Sequence, residues 1–152
     1  MGLTNLTGDD TLIINERAIQ GHFADGDAVT LEYPDDMVTK TIGKDGNTIF
    51  VLNQSGVGFT LTFSVLRGGW VDKFLAGLLA AQERDFVGVE LINGVFTKRI
   101  GDGNGKVTYD TYYCRAMMFQ KKPGTTSNVS GDAAQGKIEY ILTGAECPRG
   151  LI

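Results

Sequence analysis

Side chains that could act as nucleophiles, bases or metal ligands are few in this sequence, which has 152 residues, one His and two Cys. A Ser-His-Asp or Cys-His arrangement would have to use His22, because no other imidazole exists. No Gly-x-Ser-x-Gly elbow is present, and Ser55 falls in a predicted turn. The sequence therefore favours a surface position for His22 and gives no catalytic constellation.

Metal and phosphate sites are equally poorly supported. Asp102-Gly-Asn-Gly resembles the start of a calcium loop but lacks the third alternating ligand and the distal Glu, so a hairpin turn is favoured. Gly56-Val57-Gly58 enters a strand and does not open a helix, which argues against a phosphate cradle. We expect no enzyme activity, no cofactor and no metal.

The two cysteines, Cys114 and Cys147, are not in a CxxC spacing. The N-terminal ten residues have neither a basic region nor an apolar stretch, so they do not predict a secretion signal. Without export a reduced pair is favoured, although the two thiols could pair. No apolar run is long enough to span a membrane, and we expect a cytoplasmic protein.

The charge distribution is uneven. Residues 1–36 contain eight acidic side chains and only Arg17 as a base, a net charge of −7, while the remainder carries +3, which together give the net −4 of the chain. A solvated acidic surface and a complementary head-to-tail contact between identical subunits both fit. The absence of a basic stripe argues against tight external binding of nucleic acid. The candidates for an acidic patch are Asp9, Asp10, Asp25, Asp27, Glu32, Asp35 and Asp36.

A strand pattern changes to a helix pattern within residues 58–84. Phe59, Leu61, Phe63 and Val65 alternate with polar residues, as in a half-buried strand. After Gly68-Gly69, apolar residues follow the spacing of an amphipathic helix over about residues 70–84. The predicted core face of this helix comprises Trp70, Phe74, Leu75 and Leu78.

Glycine turns at short intervals separate many strand-like runs. These runs are residues 11–14, with a continuation to 20 left open, 28–33, 38–42, 48–53, 58–66, 86–92, 95–100, 106–120 and 137–143. The pattern predicts a mainly β protein, an antiparallel sandwich or barrel with the single helix packed on it. With 42% apolar and 21% charged residues, the chain fits one globular domain over residues 1–152.

Two segments are predicted to stand outside that core. Residues 37–53 contain two β-rich runs joined by Lys-Asp-Gly-Asn, and their composition is more polar than that of the core strands. This favours a projecting hairpin. Residues 123–135 form a polar, small-residue loop that we expect to be exposed.

The order of several segments resembles the tail tube proteins of contractile-tailed bacteriophages, a phage structural protein family. The resemblance covers nearly the whole chain and is strongest at residues 58–84 and at VFTKRIGD, residues 95–102. It extends to FADGDAVTLEYP at residues 23–34, GKDGNTIFVLNQSG at residues 43–56 and SNVSGD at residues 127–132. None of these segments is a mechanistic motif.

This resemblance implies a subunit that forms hexameric rings stacked into a hollow tube, with sheath, tape measure, baseplate and tail terminator proteins as partners. It implies that genomic DNA passes through an acidic lumen without specific binding, in a virion assembled in the host cytoplasm. The 37–53 hairpin would reach the next ring, with residues 1–10 as an N-terminal arm and the 123–135 loop as further contacts. The implied inter-ring contact residues are Met37, Val38, Lys40, Ile42, Lys44, Asp45, Asn47, Ile49 and Val51.

Three alternatives stay open from the sequence. A tube protein of a secretion or contractile injection system would share this ancestry but would pass effectors. A carbohydrate-binding or adhesive β-sandwich would present exposed aromatic side chains from a monomer. An enzyme would need a carboxylate pair, and no pair stands out. The two cysteines do not belong to the resemblance, which leaves an inter-subunit disulfide open.

Overall fold

The computed structural model describes residues 4–6, 10–19, 29–124 and 136–152 of the chain. The strands of this described part are β1 (Thr11–Ile14), β2 (Arg17–Ala18), β3 (Val29–Glu32), β4 (Val38–Ile42), β5 (Thr48–Leu52), β6 (Phe59–Leu66), β7 (Ile92–Gly101), β8 (Val107–Lys121), β9 (Lys137–Glu146) and β10 (Arg149–Leu151). A short 3-10 helix covers Gln54–Val57, and one α-helix, α1, covers Trp70–Arg84.

Eight strands form an antiparallel sheet in the order β2-β1-β7-β8-β9-β6-β3, with β10 paired to β8. Strands β4 and β5 form a separate two-stranded sheet. The mainly β, antiparallel class with one helix is therefore confirmed. In the described residues no ladder joins β2 to β3, so backbone hydrogen bonds do not close the sheet into the barrel that the sequence left possible.

Strand β6 supplies the centre of the core. Its burial alternates as predicted, with Phe59, Leu61, Phe63 and Val65 almost fully buried. The pleat of a β-strand directs every second side chain to the same face, which is why a period of two was sufficient to find this set. The neighbouring strand β9 adds Tyr140 and Leu142 to the same core.

Helix α1 covers this core by packing against β6 and β8. It has the predicted bounds, and its buried side chains are Val71 and Leu75. Asp72 holds the beginning of the helix, because its carboxylate accepts the Gly68 N–H at 2.8 Å and the Tyr140 hydroxyl at 2.6 Å. The helix is thus joined to β9 by a polar contact as well as by packing.

The predicted core face of α1 needs one correction. Trp70 is 42% exposed, whereas Leu75 is buried and Phe74 and Leu78 are half-buried. Trp70 is the first helical residue, and a helical side chain leans toward the N-terminus, so this ring points away from the turn of the helix that carries Leu75. Phe74, on the same row of the helix, is covered by the Arg17 guanidinium at 4.8 Å from its ring centre.

The predicted strand at residues 86–92 is also wrong, except for Ile92 at the beginning of β7. Asp85 turns the chain here: its carboxylate accepts the Gly88 N–H at 3.0 Å and its carbonyl accepts the Val89 N–H. An Asp side chain that bonds nearby backbone stabilises a turn more than a strand. Val87 is left 94% exposed.

Residues 11–19, the described part of the first predicted run, do not form one strand. Asn15 and Glu16 both have positive φ, 47° and 70°, which gives the two-residue turn that joins β1 to β2. The side chain of Asn15 also accepts the Asn93 N–H at 3.1 Å, so this turn is attached to β7.

Strand β8 is long and changes partners along its length. Its first part pairs with β7 on one side and β10 on the other, and its last part pairs with β9. Ala116 lies near the point where β9 replaces β10 as the partner of β8, and it has a φ of 55°. The side chain of Asn93 accepts the Ala116 N–H at 3.2 Å. The β7 register shifts at the same point, between Ile92 and Gly94, so a β-bulge bends the strand where its neighbour changes.

Candidate assembly surface

The hairpin formed by β4 and β5 has two distinct faces. Directly paired residues in an antiparallel ladder lie on the same face, and successive pairs alternate between faces. The ladder pairs are Val38 with Leu52, Thr39 with Val51, Lys40 with Phe50, Thr41 with Ile49, and Ile42 with Thr48. Face A therefore comprises Val38, Lys40, Ile42, Thr48, Phe50 and Leu52, and face B comprises Thr39, Thr41, Ile49 and Val51.

Both faces are exposed along their whole length. Face A is the more apolar, with Phe50 69% and Leu52 63% exposed. An isolated two-stranded hairpin is marginally stable in water, and a contiguous exposed apolar patch marks an interaction site. The hairpin thus has the composition of an element that packs against another chain.

The contact residues expected from the sequence divide between these faces. Val38, Lys40 and Ile42 lie on face A, and Ile49 and Val51 on face B. Phe50 and Leu52, the two most exposed apolar side chains of the ladder, were not among the candidates. The alternation of β5 read together with the register of β4 would have identified them.

The tip of the hairpin is a compact turn. The Gly43 N–H bonds to the Asn47 carbonyl at 2.8 Å, and Gly46 has a φ of 83°. The Asp45 carboxylate accepts the Asn47 side-chain amide at 2.6 Å. Of the polar candidates, Asp45 and Asn47 therefore hold the turn itself, while Lys44, just before Asp45, is exposed.

The root of the hairpin packs tightly against the 3-10 helix. The Asn53 N–H bonds to the Met37 carbonyl at 2.8 Å, and the Asn53 side chain accepts the Ser55 hydroxyl at 2.9 Å. A Cβ on Gly56 would lie 2.7 Å from the Met37 Cα. Only glycine permits this approach without a backbone shift, so the direction of the hairpin depends on Gly56.

A cleft of about 420 Å³ opens beside this root. It is mainly apolar and is lined by Tyr33, Asp35, Met37, Gly56, Val57, Glu146, Cys147 and Pro148. The Tyr33 hydroxyl donates to the Cys147 carbonyl at 2.6 Å, which joins the segment after β3 to the turn before β10. Burial and the nearby Cys147 thiol raise the pKa of Tyr33, both of which favour the neutral phenol that donates this hydrogen bond.

The acidic candidates are not all in one place. Asp10 pairs with Lys98 of β7 at 3.0 Å, whereas Glu32 is exposed at the end of β3, and Asp35 and Asp36 are exposed between β3 and the hairpin. Asp9, Asp25 and Asp27 lie outside the described residues. The described acids therefore form a short exposed group beside the hairpin root, and Asp10 is neutralised elsewhere.

The other expected contact segments are described only in part. Asn5 forms a backbone bridge with Gly101 in the N-terminal segment, with N–O distances of 2.8 and 3.0 Å. Residues 125–135 of the polar loop and His22 are outside the described residues. In the part of the chain that is described, no three or more His, Cys, Asp or Glu side chains gather as a metal site.

Helix α1, the one α-helix among the described residues, is too short and too polar to cross a membrane.

No protein-family model and no curated protein matches the sequence. Similarity appears in solved structures. A chain of the sheath–tube complex of the PVC extracellular contractile injection system, in its extended state, superposes with a TM-score of 0.59 at 13% identity, over 97% of this chain and 93% of the other. The fold is one found in the tube assemblies of contractile injection systems.

Two further structures have the same fold. The tube-terminating cap of the anti-feeding prophage gives a TM-score of 0.63 at 8% identity, over 97% of this chain and 92% of the cap. The PVC sheath/tube terminator in the extended state gives 0.59 at 12% identity, over 95% and 94%. These similarities confirm the resemblance to contractile-tail tube proteins at the level of the fold.

Proposed function

We propose that this chain is a non-enzymatic structural protein, the inner tail tube subunit of a contractile phage tail. The observation that carries the proposal is the β4–β5 hairpin. It forms its own sheet, is exposed on both faces and presents Phe50 and Leu52 to solvent, in a chain with the fold of contractile tube components. A second copy would cover this apolar surface.

Subunits assemble head to tail, six to a ring, and the rings stack into a tube. A head-to-tail contact joins two different surfaces, so it closes into rings or continues as a filament. The hairpin supplies one of these two surfaces. In the described structure β4 and β5 pair only with each other, so the outer edge of each strand leaves backbone N–H and C=O groups without a ladder partner. Its face A packs on the adjacent ring, and burial of Phe50 and Leu52 contributes about 1.5–3 kcal/mol each.

The tube carries genomic DNA, and its partners are the sheath, tape measure, baseplate and tail terminator proteins. The net charge of −4 per subunit suits a lumen through which DNA slides without binding. The exposed Glu32, Asp35 and Asp36 are the described acids available for the lumen or for a subunit contact. The protein would assemble in the host cytoplasm and reside in the virion.

A tube of a contractile injection system is the second candidate. The similar solved structures come from such systems, among them the PVC complex and the anti-feeding prophage cap. Both candidate functions require a tube of stacked rings, and they differ in the molecule that passes through the tube. DNA within purified particles favours the phage tail, and protein cargo favours the injection system.

Electron microscopy of the purified protein tests the assembly. We expect rings and tubes in negative stain for the wild type, and loss of the tubes in a Phe50→Ser/Leu52→Ser variant that keeps the wild-type circular dichroism spectrum, because both side chains are exposed in the subunit. The matched control is Val87→Ser, which removes a 94% exposed apolar side chain outside the hairpin and leaves assembly intact. A wild-type protein that sediments as a monomer at every concentration would contradict the proposal.

A further inference from the structure

The two cysteines meet inside the fold although 33 residues separate them in the chain. Cys114 lies on β8 and Cys147 lies in the turn between β9 and β10. Their sulfur atoms are 3.2 Å apart, within hydrogen-bond distance, and both residues are buried and not joined by a disulfide. The thiols therefore face each other and not the surface, which is unsuitable for a link between subunits.

We infer that Cys114 and Cys147 form an intramolecular disulfide when the protein meets a peroxide, and that this bond fixes the C-terminal strand to the sheet. The inference is independent of the proposed function, since it concerns one subunit.

Small oxidants have a route to both residues. Cys147 borders the cleft beside the hairpin root, with Tyr33 and Pro148. Cys114 borders a second cleft of about 570 Å³ that also includes Leu91 and Gly94. Hydrogen peroxide is small enough to enter either cleft, whereas a bulky disulfide reagent would need the strands to open.

The two thiols are electronically different. The hydrogen bond between them lowers the pKa of Cys147, whereas that bond and burial raise the pKa of Cys114. Cys147 is also the more exposed of the two, 5% against 1%, so it is the thiol that meets the oxidant first.

The chemistry balances with one peroxide. The Cys147 thiolate attacks a peroxide oxygen, an S–O bond forms, the O–O bond breaks, and the leaving hydroxide takes a proton to become water. The Cys114 sulfur then attacks the Cys147 sulfur, an S–S bond forms, the S–O bond breaks, and the second hydroxide leaves as water with the Cys114 proton. The two sulfurs lose two electrons and the peroxide oxygens gain them.

The bond would act on the end of the chain. Just after Cys147, the Pro148 carbonyl accepts the Tyr113 N–H at 3.0 Å, and Arg149 holds Asp110 through two hydrogen bonds of 2.7 and 2.9 Å. A disulfide between Cys147 and Cys114 adds a covalent link between the β9–β10 turn and strand β8, which these hydrogen bonds already join. It also fixes the carbonyl that receives the Tyr33 hydroxyl, and so the cleft beside the hairpin root.

Intact mass spectrometry of the full chain after hydrogen peroxide treatment tests this inference. We expect a loss of about 2 Da, the absence of alkylatable thiols after denaturation, and recovery of both thiols with dithiothreitol. A tryptic fragment pair joined through Cys114 and Cys147 identifies the bond. The oxidised wild type should unfold at a temperature about 5–10 °C higher than the reduced wild type.

The control variants Cys114→Ala and Cys147→Ala each leave one thiol and should instead gain about 16 or 32 Da. Hydrogen exchange at the Tyr113 amide should slow on oxidation of the wild type alone. A wild type that retains two thiols, or that runs as a covalent dimer on a non-reducing gel, would overturn the inference. The wild-type mass and peptide results decide the matter even if a variant fails to fold.

Discussion

At the residue scale, the absence of a side chain at Gly56 determines how the hairpin leaves the body of the protein. The Cβ of any other residue would lie 2.7 Å from the Met37 Cα and 3.0 Å from the Asp36 carbonyl oxygen. Both are backbone atoms, so relief requires the root to move. Asn53 reports on this movement, because its N–H donates to the Met37 carbonyl.

Gly56→Ala should therefore open the hairpin root. We expect the Asn53 amide to exchange with solvent about tenfold faster or more, which corresponds to about 1.4 kcal/mol or more of local destabilisation. Hydrogen exchange measured by NMR checks this. Gly77→Ala is the matched control, since a Cβ at Gly77 meets nothing within 4 Å and alanine favours a helix. Equal exchange of Asn53 in both variants would show that the close contact does not restrain the root.

At the element scale, helix α1 is held by its Val71 and Leu75 side chains more than by Trp70. Leu75 is fully buried, and its truncation leaves a cavity between the helix and the sheet. Trp70 has a larger ring, but 42% of its side chain already contacts water. Burial, and not ring size, determines the cost of truncation.

Leu75→Ala should lower the free energy of unfolding by about 2–5 kcal/mol, and Trp70→Ala by less. Urea denaturation followed by circular dichroism measures both. The reverse order would mean that the beginning of the helix carries the packing, as its sequence pattern suggests.

The same helix shows what its sequence pattern could and could not reveal. Bounds at residues 70 and 84 follow from the spacing of apolar residues and from Asp72 near the beginning, so they were predictable. The spacing of apolar residues could not show that Trp70 is 42% exposed, because burial depends on how α1 packs against β6 and β8. Residues 86–92 were mistaken for a strand because valine and phenylalanine favour strands locally, while the Asp85 turn decides the conformation.

The sequence predicts where in the chain the hairpin lies, but it does not predict which side chains share each face of the hairpin. The Lys-Asp-Gly-Asn turn and its flanking β-rich runs give the hairpin. Which side chains share a face depends on the register of Val38 with Leu52, and the one-dimensional pattern does not fix that register. For this reason Phe50 and Leu52 were missed. The meeting of Cys114 and Cys147 was hidden for a similar reason, because it depends on how β8 and the β9–β10 turn pair in space.

At the scale of the whole molecule, two forces would act in opposite directions on the proposed assembly. Each subunit carries a net charge of −4, so identical copies repel one another at low ionic strength. The exposed apolar hairpin attracts other copies through surface burial, which salt does not screen. The Debye length falls from about 10 Å at 0.1 M to about 3 Å at 1 M salt, and the repulsion falls with it.

Assembly should therefore increase with sodium chloride between these two concentrations. The fraction of protein that pellets on ultracentrifugation measures it, with the Phe50→Ser/Leu52→Ser variant as the control that stays in the supernatant. Dissociation of wild-type assemblies in 1 M salt would show that opposite charges between subunits, and not the hairpin, hold them together.

The length of strand β8 determines how the sheet would respond to a force applied along that strand. Its 15 residues run past β7 and β10 and then past β9, with the bend at Ala116 between the two halves. Ladder hydrogen bonds stand perpendicular to the strand, so tension along β8 loads many of them in shear at once and does not peel them one by one. One continuous strand thus lets the whole sheet share the load.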